Sequence, residues 1–426
     1  MTIPGARRIR VGIIGANPDR GGAAQAHIPA LKSYAAGRSA VRAGCRRPVV
    51  RLRCGGQLFS MPPIPYSLHI DQPMLDDLYL RLRRARLPRD LGIGWEHGTK
   101  RSFLRELLEH WQERFDWRAQ EAHLNELPQF IWEDLHFVHQ RSGLPGAVPL
   151  VLLHGWPDSC FRYQKVIPRF AEMREGVSFH VIAPTLPGFP LSPAKHHSNR
   201  ETARHIWRLL TQELGYDRFV VSGGDGGSVV GQILALDHPQ SVSLLHLTDI
   251  GWHATMNLDP KQVSWSEKHF LEHSKKSFMK DGPYAMLQST RPRDLAPAFN
   301  DSPVALASWI LDRFHSWSDR GFTRDELLTN ITLYWVTQAI GSSIWSYYAE
   351  SRSPSLTNQE YVEPPVAMAL FPKDAGGVPP RKLAERTLNV QRRSKLPQGS
   401  HFGALEEPEL YVQDVIDAVK ELQVIH

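Results

Sequence analysis

From Pro62 onward the apolar positions keep a period, and the period alternates between helical and extended. Between Asp71 and Arg86, Met74, Leu75, Leu78, Leu82 and Ala85 recur at helical spacing and predict an amphipathic helix. A second helix is expected over Lys100–Phe115, and a third before Pro128 breaks the chain. Residues 131–139 alternate apolar and polar, as a half-buried strand does. Short apolar runs follow at Val148–Leu153, Phe179–Ala183, Arg218–Ser222 and Leu244–Ile250. The third leads into Gly-rich residues and a helix from Ser228 to about Leu236. Strands alternating with helices predict an α/β fold with a mostly parallel sheet. Residues 252–350 carry Trp, Phe and Tyr in helical patterns with no strand period, as a helical cap inserted into the sheet domain would. Strand character returns at Val366–Phe371 and near Thr387–Lys395, and a closing helix is expected from about Pro408 to Leu422.

The chain is therefore expected to divide into a basic extension (1–61), a helical N-terminal region (62–130), a first part of the sheet domain (131–251), the cap (252–350) and a second part of the sheet domain (351–426). Within the extension, residues 7–33 read as a strand, a Gly-containing turn and a helix. They resemble the opening of the NAD(P)-binding Rossmann domain of glucose-fructose-oxidoreductase-type proteins. A complete unit needs a second strand and an acid about 20 residues on for the ribose. Here the next acid after Asp19 is Asp71, and residues 34–60 show no clear period. Residues 1–61 are expected to be a truncated remnant, partly disordered, and no cofactor site is expected in them. An NAD(P)-binding oxidoreductase remains the reading of a different class that residues 7–33 offer.

Composition narrows the classes further. The net charge of +6 is uneven: residues 1–70 hold eleven Lys or Arg against one acid, a net +10. The other 356 residues hold 39 basic and 43 acidic side chains, a net −4, so the body offers no basic face for nucleic acid. No stretch reaches the roughly 18 consecutive apolar residues of a membrane span, and no signal-peptide pattern opens the chain. Three cysteines, Cys45, Cys54 and Cys160, make neither a disulfide framework nor a paired metal spacing, which points to the reducing cytoplasm and to no metal. Self-association into a homo-oligomer is left open.

The sharpest local signal is Gly223-Gly224-Asp225-Gly226-Gly227, between an apolar strand and a helix. A nucleophile elbow needs small residues two positions either side of the nucleophile, because its strained strand–turn–helix backbone leaves no room for larger ones. Gly223 and Gly227 fill those positions. An aspartate there carries a consequence. A serine opening an epoxide or displacing an alkyl group forms an ether, which water does not readily cleave. A carboxylate attacking sp³ carbon forms an ester, which water hydrolyses at the carbonyl. The second signal, His154-Gly155-Trp156-Pro157, ends an apolar strand about 70 residues earlier. In the α/β-hydrolase fold the loop there donates a backbone N–H to the oxyanion hole, and the residue after the nucleophile donates another, so Trp156 and Gly226 are the candidate donors. The fold's chain order is nucleophile, acid, histidine. Asp374 ends a later strand, and His401 follows the next.

These residues stand within a longer resemblance. The chain resembles microsomal-type epoxide hydrolases, in their soluble bacterial-like form, over about residues 63–422. The likeness runs through Trp117-Arg118-Ala119-Gln120-Glu121-Ala122 with Leu124-Asn125, His154–Pro157 and Gly223-Gly224-Asp225. It continues through Gln288–Pro292, Asn300–Pro303, Trp309–Leu311, His401-Phe402 and Leu405–Glu409. It implies two cap tyrosines that hold the epoxide oxygen, at Tyr284 and Tyr347, with Tyr348 next in line. The sequence departs from the family's usual residues at Gly226 (Trp), Ser400 (Gly) and Asp158 (Gly), none of which removes a catalytic group.

The expected chemistry follows. Tyr284 and Tyr347 bind the epoxide oxygen while Asp225 attacks a ring carbon. His401, oriented by Asp374, activates water against the ester, and the backbone donors of Trp156 and Gly226 hold the oxyanion. The substrates are a small epoxide and water, with no cofactor. A haloalkane dehalogenase is the nearest rival, but Gly226 lacks the indole N–H that such enzymes often place beside the halide. A catalytically dead protein of the same fold is a third reading.

Overall fold

The structure is a computed structural model that describes residues 53–54, 57–58, 62–90, 92, 94–192 and 198–424. The chain divides into two units, Met1–Met61 and Pro62–His426. In the first, strands β1 (Arg53–Cys54) and β2 (Gln57–Leu58) pair antiparallel. The Rossmann-like stretch 7–33 lies outside the described residues.

The second unit is built on nine strands: β3 (Ile64–Tyr66), β4 (Gln129–Trp132), β5 (Leu135–Gln140), β6 (Val148–Leu153), β7 (Phe179–Pro184), β8 (Phe219–Gly223), β9 (Val242–Leu247), β10 (Val362–Leu370) and β11 (Leu388–Lys395). Their order is β11-β10-β9-β8-β6-β7-β5-β4-β3. The run from β11 to β7 is parallel, and β5, β4 and β3 add antiparallel at one edge. Helices on both faces bury the parallel strands, so those strands read as continuous apolar runs. Leu150–Leu153 and Phe219–Val221 are fully buried.

The single strand expected over 131–139 is two. β4 and β5 form a hairpin that turns at Glu133-Asp134, with Glu133 at φ 52°. The polar turn is only two residues long, and apolar residues stand on both sides of it at Trp132 and Leu135, so a local reading joins the two arms into one run.

Helices α1 (Gln72–Arg83), α2 (Arg101–Glu113) and α3 (Trp117–Leu124) form the helical N-terminal region. The Trp117–Asn125 motif has a physical task there. Glu121 accepts from the backbone N–H of Ile70 at 2.7 Å and from Trp117 Nε1 at 3.1 Å. Asn125 accepts from the Leu68 N–H and donates to the Leu68 carbonyl, both at 2.8 Å. A buried segment of irregular backbone is thereby hydrogen-bonded in full at these points.

Around the sheet lie α4 (Ile167–Ala171), α5 (Asn199–Arg208) and α6 (Gly226–Asp237). Seven helices are inserted between β9 and β10: α7 (Trp265–Asp281), α8 (Pro283–Thr290), α9 (Pro292–Asp301), α10 (Pro303–Ser316), α11 (Arg324–Thr337), α12 (Ile340–Ser343) and α13 (Trp345–Arg352). Pro283, Pro292 and Pro303 each start a helix, where proline's missing N–H costs nothing. The buried Gln288 accepts from Trp309 Nε1 at 3.0 Å and ties α8 to α10. α14 (Arg381–Ala384), α15 (Gly403–Glu406) and α16 (Pro408–Glu421) complete the unit. Among the described residues no helix is long and apolar enough to cross a membrane.

The described apolar core runs from Leu68 to Val419. A chain starting at Pro62 is therefore expected to melt within about 2 °C of the full chain, the shift that under 1 kcal/mol produces, and to keep its turnover. Loss of folding on this truncation, read by circular dichroism, would contradict a self-sufficient second unit.

Candidate active site

Asp225 sits at the turn from β8 into α6 with φ 56° and ψ −129°, a backbone that side-chain-bearing residues rarely adopt. The neighbouring glycines make that turn possible. A Cβ at Gly227 would run into the carbonyl oxygen of Leu153, and one at Gly155 into the carboxylate of Asp225 itself. β6 and β8 are adjacent, with Leu153 paired to Gly223, so the two Gly-containing loops leave the sheet side by side.

The loops meet on one atom. The backbone N–H of Trp156 donates to Asp225 Oδ1 at 2.9 Å, and that of Gly226 donates to the same oxygen at 2.6 Å. His154 steadies the first loop: it is fully buried and its Nε2 accepts from the Leu186 N–H at 3.0 Å, which leaves Nδ1 as the donor to the Gly155 carbonyl. The Trp156–Pro157 peptide is cis.

The other carboxylate oxygen of Asp225 faces His401, whose Nε2 lies 3.7 Å from Oδ2. On its far side His401 Nδ1 lies 3.4 Å from Asp374 Oδ2. Both contacts are long for hydrogen bonds, as is common for catalytic groups without substrate. Asp374 Oδ1 is anchored by the Gly376 N–H at 2.8 Å. Burial pushes the proton affinity of His401 down, but the carboxylate of Asp374 beside it, with the charge of Asp225, outweighs it and holds its pKa above the usual value. Ser400, in place of the family's Gly, is fully buried and donates to Glu406. Glu406 also accepts from the Asp319 N–H at 2.8 Å, so the loop before His401 is tied down.

Tyr284 and Tyr347 come from α8 and α13 of the insertion. Trp156 stacks on the Tyr284 ring at 5.4 Å and meets Tyr347 edge-on at 6.0 Å. The two tyrosine rings are 6.0 Å apart. Burial, and then the negative charge nearby, raises both phenol pKa values, so both keep their protons at neutral pH. Tyr348 points elsewhere, with its ring against Trp345 and under the Arg352 guanidinium. At Gly226 an added Cβ would meet nothing nearer than Gly155 Cα at 3.7 Å, so the absent indole leaves space beside the nucleophile. A separate cavity of about 40 Å³ beside Asp158 and Arg162 is lined by none of these residues and is too small for a ligand.

One residue of the site went unmarked in the sequence reading. Asp249 follows β9, and its Oδ2 accepts the backbone N–H of Asp225 at 2.7 Å while Oδ1 accepts that of Gly251 at 2.9 Å. The expected strand Leu244–Ile250 runs through Asp249, whereas β9 ends at Leu247 and leaves it just past the strand's C-terminal end, the kind of position that singled out Asp374. Burial, and then the charge of Asp374, raises its pKa to about 6.

A strained turn carrying a carboxylate, two backbone donors on that carboxylate, and a histidine backed by a second acid are the arrangement of a hydrolase of the α/β-hydrolase fold, with an aspartate on the turn after β8. Family models agree: that of the epoxide hydrolase N terminus matches residues 63–163, and that of the alpha/beta hydrolase fold matches residues 148–320. The chain belongs to the epoxide hydrolase family. Epoxide hydrolase 1 of Oryctolagus cuniculus is 31% identical over 398 residues, covering 82% of this chain and 87% of that protein. The structure of Aspergillus niger epoxide hydrolase matches with a TM-score of 0.76 at 31% identity, over 85% of this chain and 97% of that one. The crystal structure of juvenile hormone epoxide hydrolase from the silkworm Bombyx mori matches with a TM-score of 0.77 at 26% identity, over 85% and 95%.

A carboxyl whose pKa in the folded chain lies above its ordinary 3.8 destabilises the fold as it ionises. For Asp249 that cost is absent below about pH 4, grows as pH rises, and is complete above about 6. Asp249→Asn keeps an acceptor for the Asp225 N–H and removes the ionisation. Relative to the parent it is expected to gain about 1–3 °C in melting temperature between about pH 4 and pH 7. Parallel melting curves across that range would contradict the assignment.

Proposed function

We propose that this member of the epoxide hydrolase family converts an epoxide to a vicinal diol through a covalent ester on Asp225. The observation that carries the reading is the convergence of the Trp156 and Gly226 N–H groups on Asp225 Oδ1, with Oδ2 turned toward His401. One oxygen is held and the other is available to attack.

In the first step Asp225 Oδ2 displaces the ring oxygen from carbon, and the hydroxyls of Tyr284 and Tyr347 donate to the developing alkoxide and protonate it. A carboxylate nucleophile and two phenol donors suit an oxygen leaving group. Gly226 offers no indole N–H for a halide, so the dehalogenase reading has less support. In the second step His401, oriented by Asp374, takes a proton from water as the hydroxide adds to the ester carbonyl. The oxyanion forms on Oδ1, where both backbone donors already point. As the intermediate collapses, His401 gives its proton to the departing alkoxide and the proton of the added hydroxyl makes good the one that a tyrosine gave up in ring opening, so that the diol, the Asp225 carboxylate, neutral His401 and both phenols result.

Electrostatics order the two steps. While Asp225 is ionised its charge helps to keep a proton on His401. Alkylation turns Asp225 into a neutral ester, so one of the charges that hold the proton disappears and His401 is released to act as base. Side chains and backbone of this chain, with water, supply every group these steps use. The seven helices inserted between β9 and β10 support reading residues 252–350 as a cap on the sheet domain, and the low cysteine content supports a reducing compartment such as the cytoplasm.

His401→Gln is expected to alkylate and stall, because ring opening needs no base and ester hydrolysis does. Intact-protein mass spectrometry should then show a substrate-sized adduct. Substrate consumed without an adduct would remove His401 as the base. Asp374→Asn should slow the same step less completely, as expected of an orienting group. Tyr284→Phe and Tyr347→Phe should each slow ester formation, by about 10²-fold on the scale of losing one oxyanion donor, and ester breakdown much less. Equal slowing of both steps would mark a structural role.

A further inference from the structure

Arg162 lies behind His401 in a place the steps above do not use. It belongs to the short turn Cys160–Tyr163 after β6 and is 6% exposed. Its Nη2 donates to the backbone carbonyl of His401 at 2.7 Å. Its Nη1 lies 3.0 Å from Asp158 Oδ2, an ion contact rather than an aligned hydrogen bond. The guanidinium also lies over the rings of Phe402 and Tyr163, 5.7 and 5.6 Å from their centroids. Asp158, where the family usually has Gly, is 3% exposed and sits two residues after Trp156. Helix α11 holds the same turn from the other side: Tyr334 OH donates to the Asp158 carbonyl at 2.9 Å and Asn330 Nδ2 to the Pro157 carbonyl at 2.8 Å.

A buried ion pair is weak evidence of added stability, because desolvation offsets the attraction. This pair does something else. One guanidinium joins the loop that carries an oxyanion donor to the loop that carries the base, although β6 and β11 are separated by three strands of the sheet. We propose that Asp158 and Arg162 are a positioning pair for ester hydrolysis: Asp158 fixes Arg162, and Arg162 fixes the His401 backbone and with it the place from which His401 faces the ester. The inference rests on His401 acting as the base. The charged groups that face His401 are Asp374, Asp225, Asp249 and Arg162, while the insertion presents the Trp317 ring with Arg313 beyond it. Arg162 lowers the proton affinity of His401 against the carboxylates. Without it His401 keeps its proton to higher pH, and hydrolysis, which needs the neutral ring, starts later.

Single-turnover ester formation and breakdown, followed by quenched-flow mass spectrometry across about pH 5 to 9, tests this. Asp158→Asn/Arg162→Met removes both charges, so no lone buried charge is left. Ester formation should stay within about threefold of the parent, breakdown at neutral pH should fall about tenfold or more, and its pH midpoint should rise by about half a unit or more. Arg162→Lys, which keeps the charge and loses the planar fork, should return the midpoint to the parent value and leave breakdown slow. A folded double variant with parent-like breakdown and midpoint overturns the inference, as does equal slowing of both steps. If the double variant does not fold, parent-like breakdown in Arg162→Lys overturns it. His401→Gln in the same series keeps the two questions apart. No trapped ester there removes His401 as base; a trapped ester beside an unshifted double variant removes only the role of Arg162.

Discussion

Two backbone N–H groups point at one oxygen of Asp225, and most of the structure around the site exists so that they can. Backbone donors cannot swing into place; they are set by the course of the chain. Adjacent parallel strands β6 and β8 deliver both loops to one edge of the sheet. Glycine at positions 155 and 227 lets the loops approach to a distance that a Cβ would forbid. Asp225 is held at a positive φ of 56° by the carboxylate of Asp249 on its N–H and by the α6 backbone that follows. A carboxylate gripped in this way has one oxygen held by two backbone donors and the other turned toward His401, as the proposed mechanism requires.

The remaining groups come from two sources with different mechanical character. His401 and Asp374 follow strands β11 and β10 and share the rigidity of the sheet. Tyr284 and Tyr347 come from the inserted helices and pack against Trp156, the residue whose N–H is one of the two donors on Asp225. The insertion also hydrogen-bonds the turn through Tyr334 and Asn330. The two halves of the site are therefore cross-linked around a single loop, 154–158. On the proposed mechanism a substitution at Trp156, which both donates to Asp225 and packs on the two tyrosines, bears on both steps, whereas one at Tyr284 or at His401 bears on one.

Sequence patterns revealed this architecture where the cause was local. The apolar runs of β6, β7 and β8 were legible because strands covered on both faces need apolar residues at every position. The elbow was legible because its strain demands glycine at fixed offsets from Asp225. The β4–β5 hairpin was not, because a two-residue turn between two short apolar arms reads locally as one run. Arg162 and Asp249 were missed for a related reason. Their partners are 239 and 24 residues away, and nothing in the local pattern of either shows which backbone group its side chain will reach. The departures at Asp158 and Ser400 were visible as departures, but their partners Arg162 and Glu406 became evident only in three dimensions.

The central claim is that Asp225 itself is alkylated and that water attacks its carbonyl carbon. A single turnover in ¹⁸O-water, with enzyme in excess over epoxide, tests this most directly. Hydrolysis at the ester carbonyl puts the new oxygen into the Asp225 carboxylate, so the peptide containing Asp225 should gain the label while the first diol carries none. Label in the first-turnover diol, with an unlabelled Asp225 peptide, would mean that water opens the ring directly, and the covalent account would be wrong.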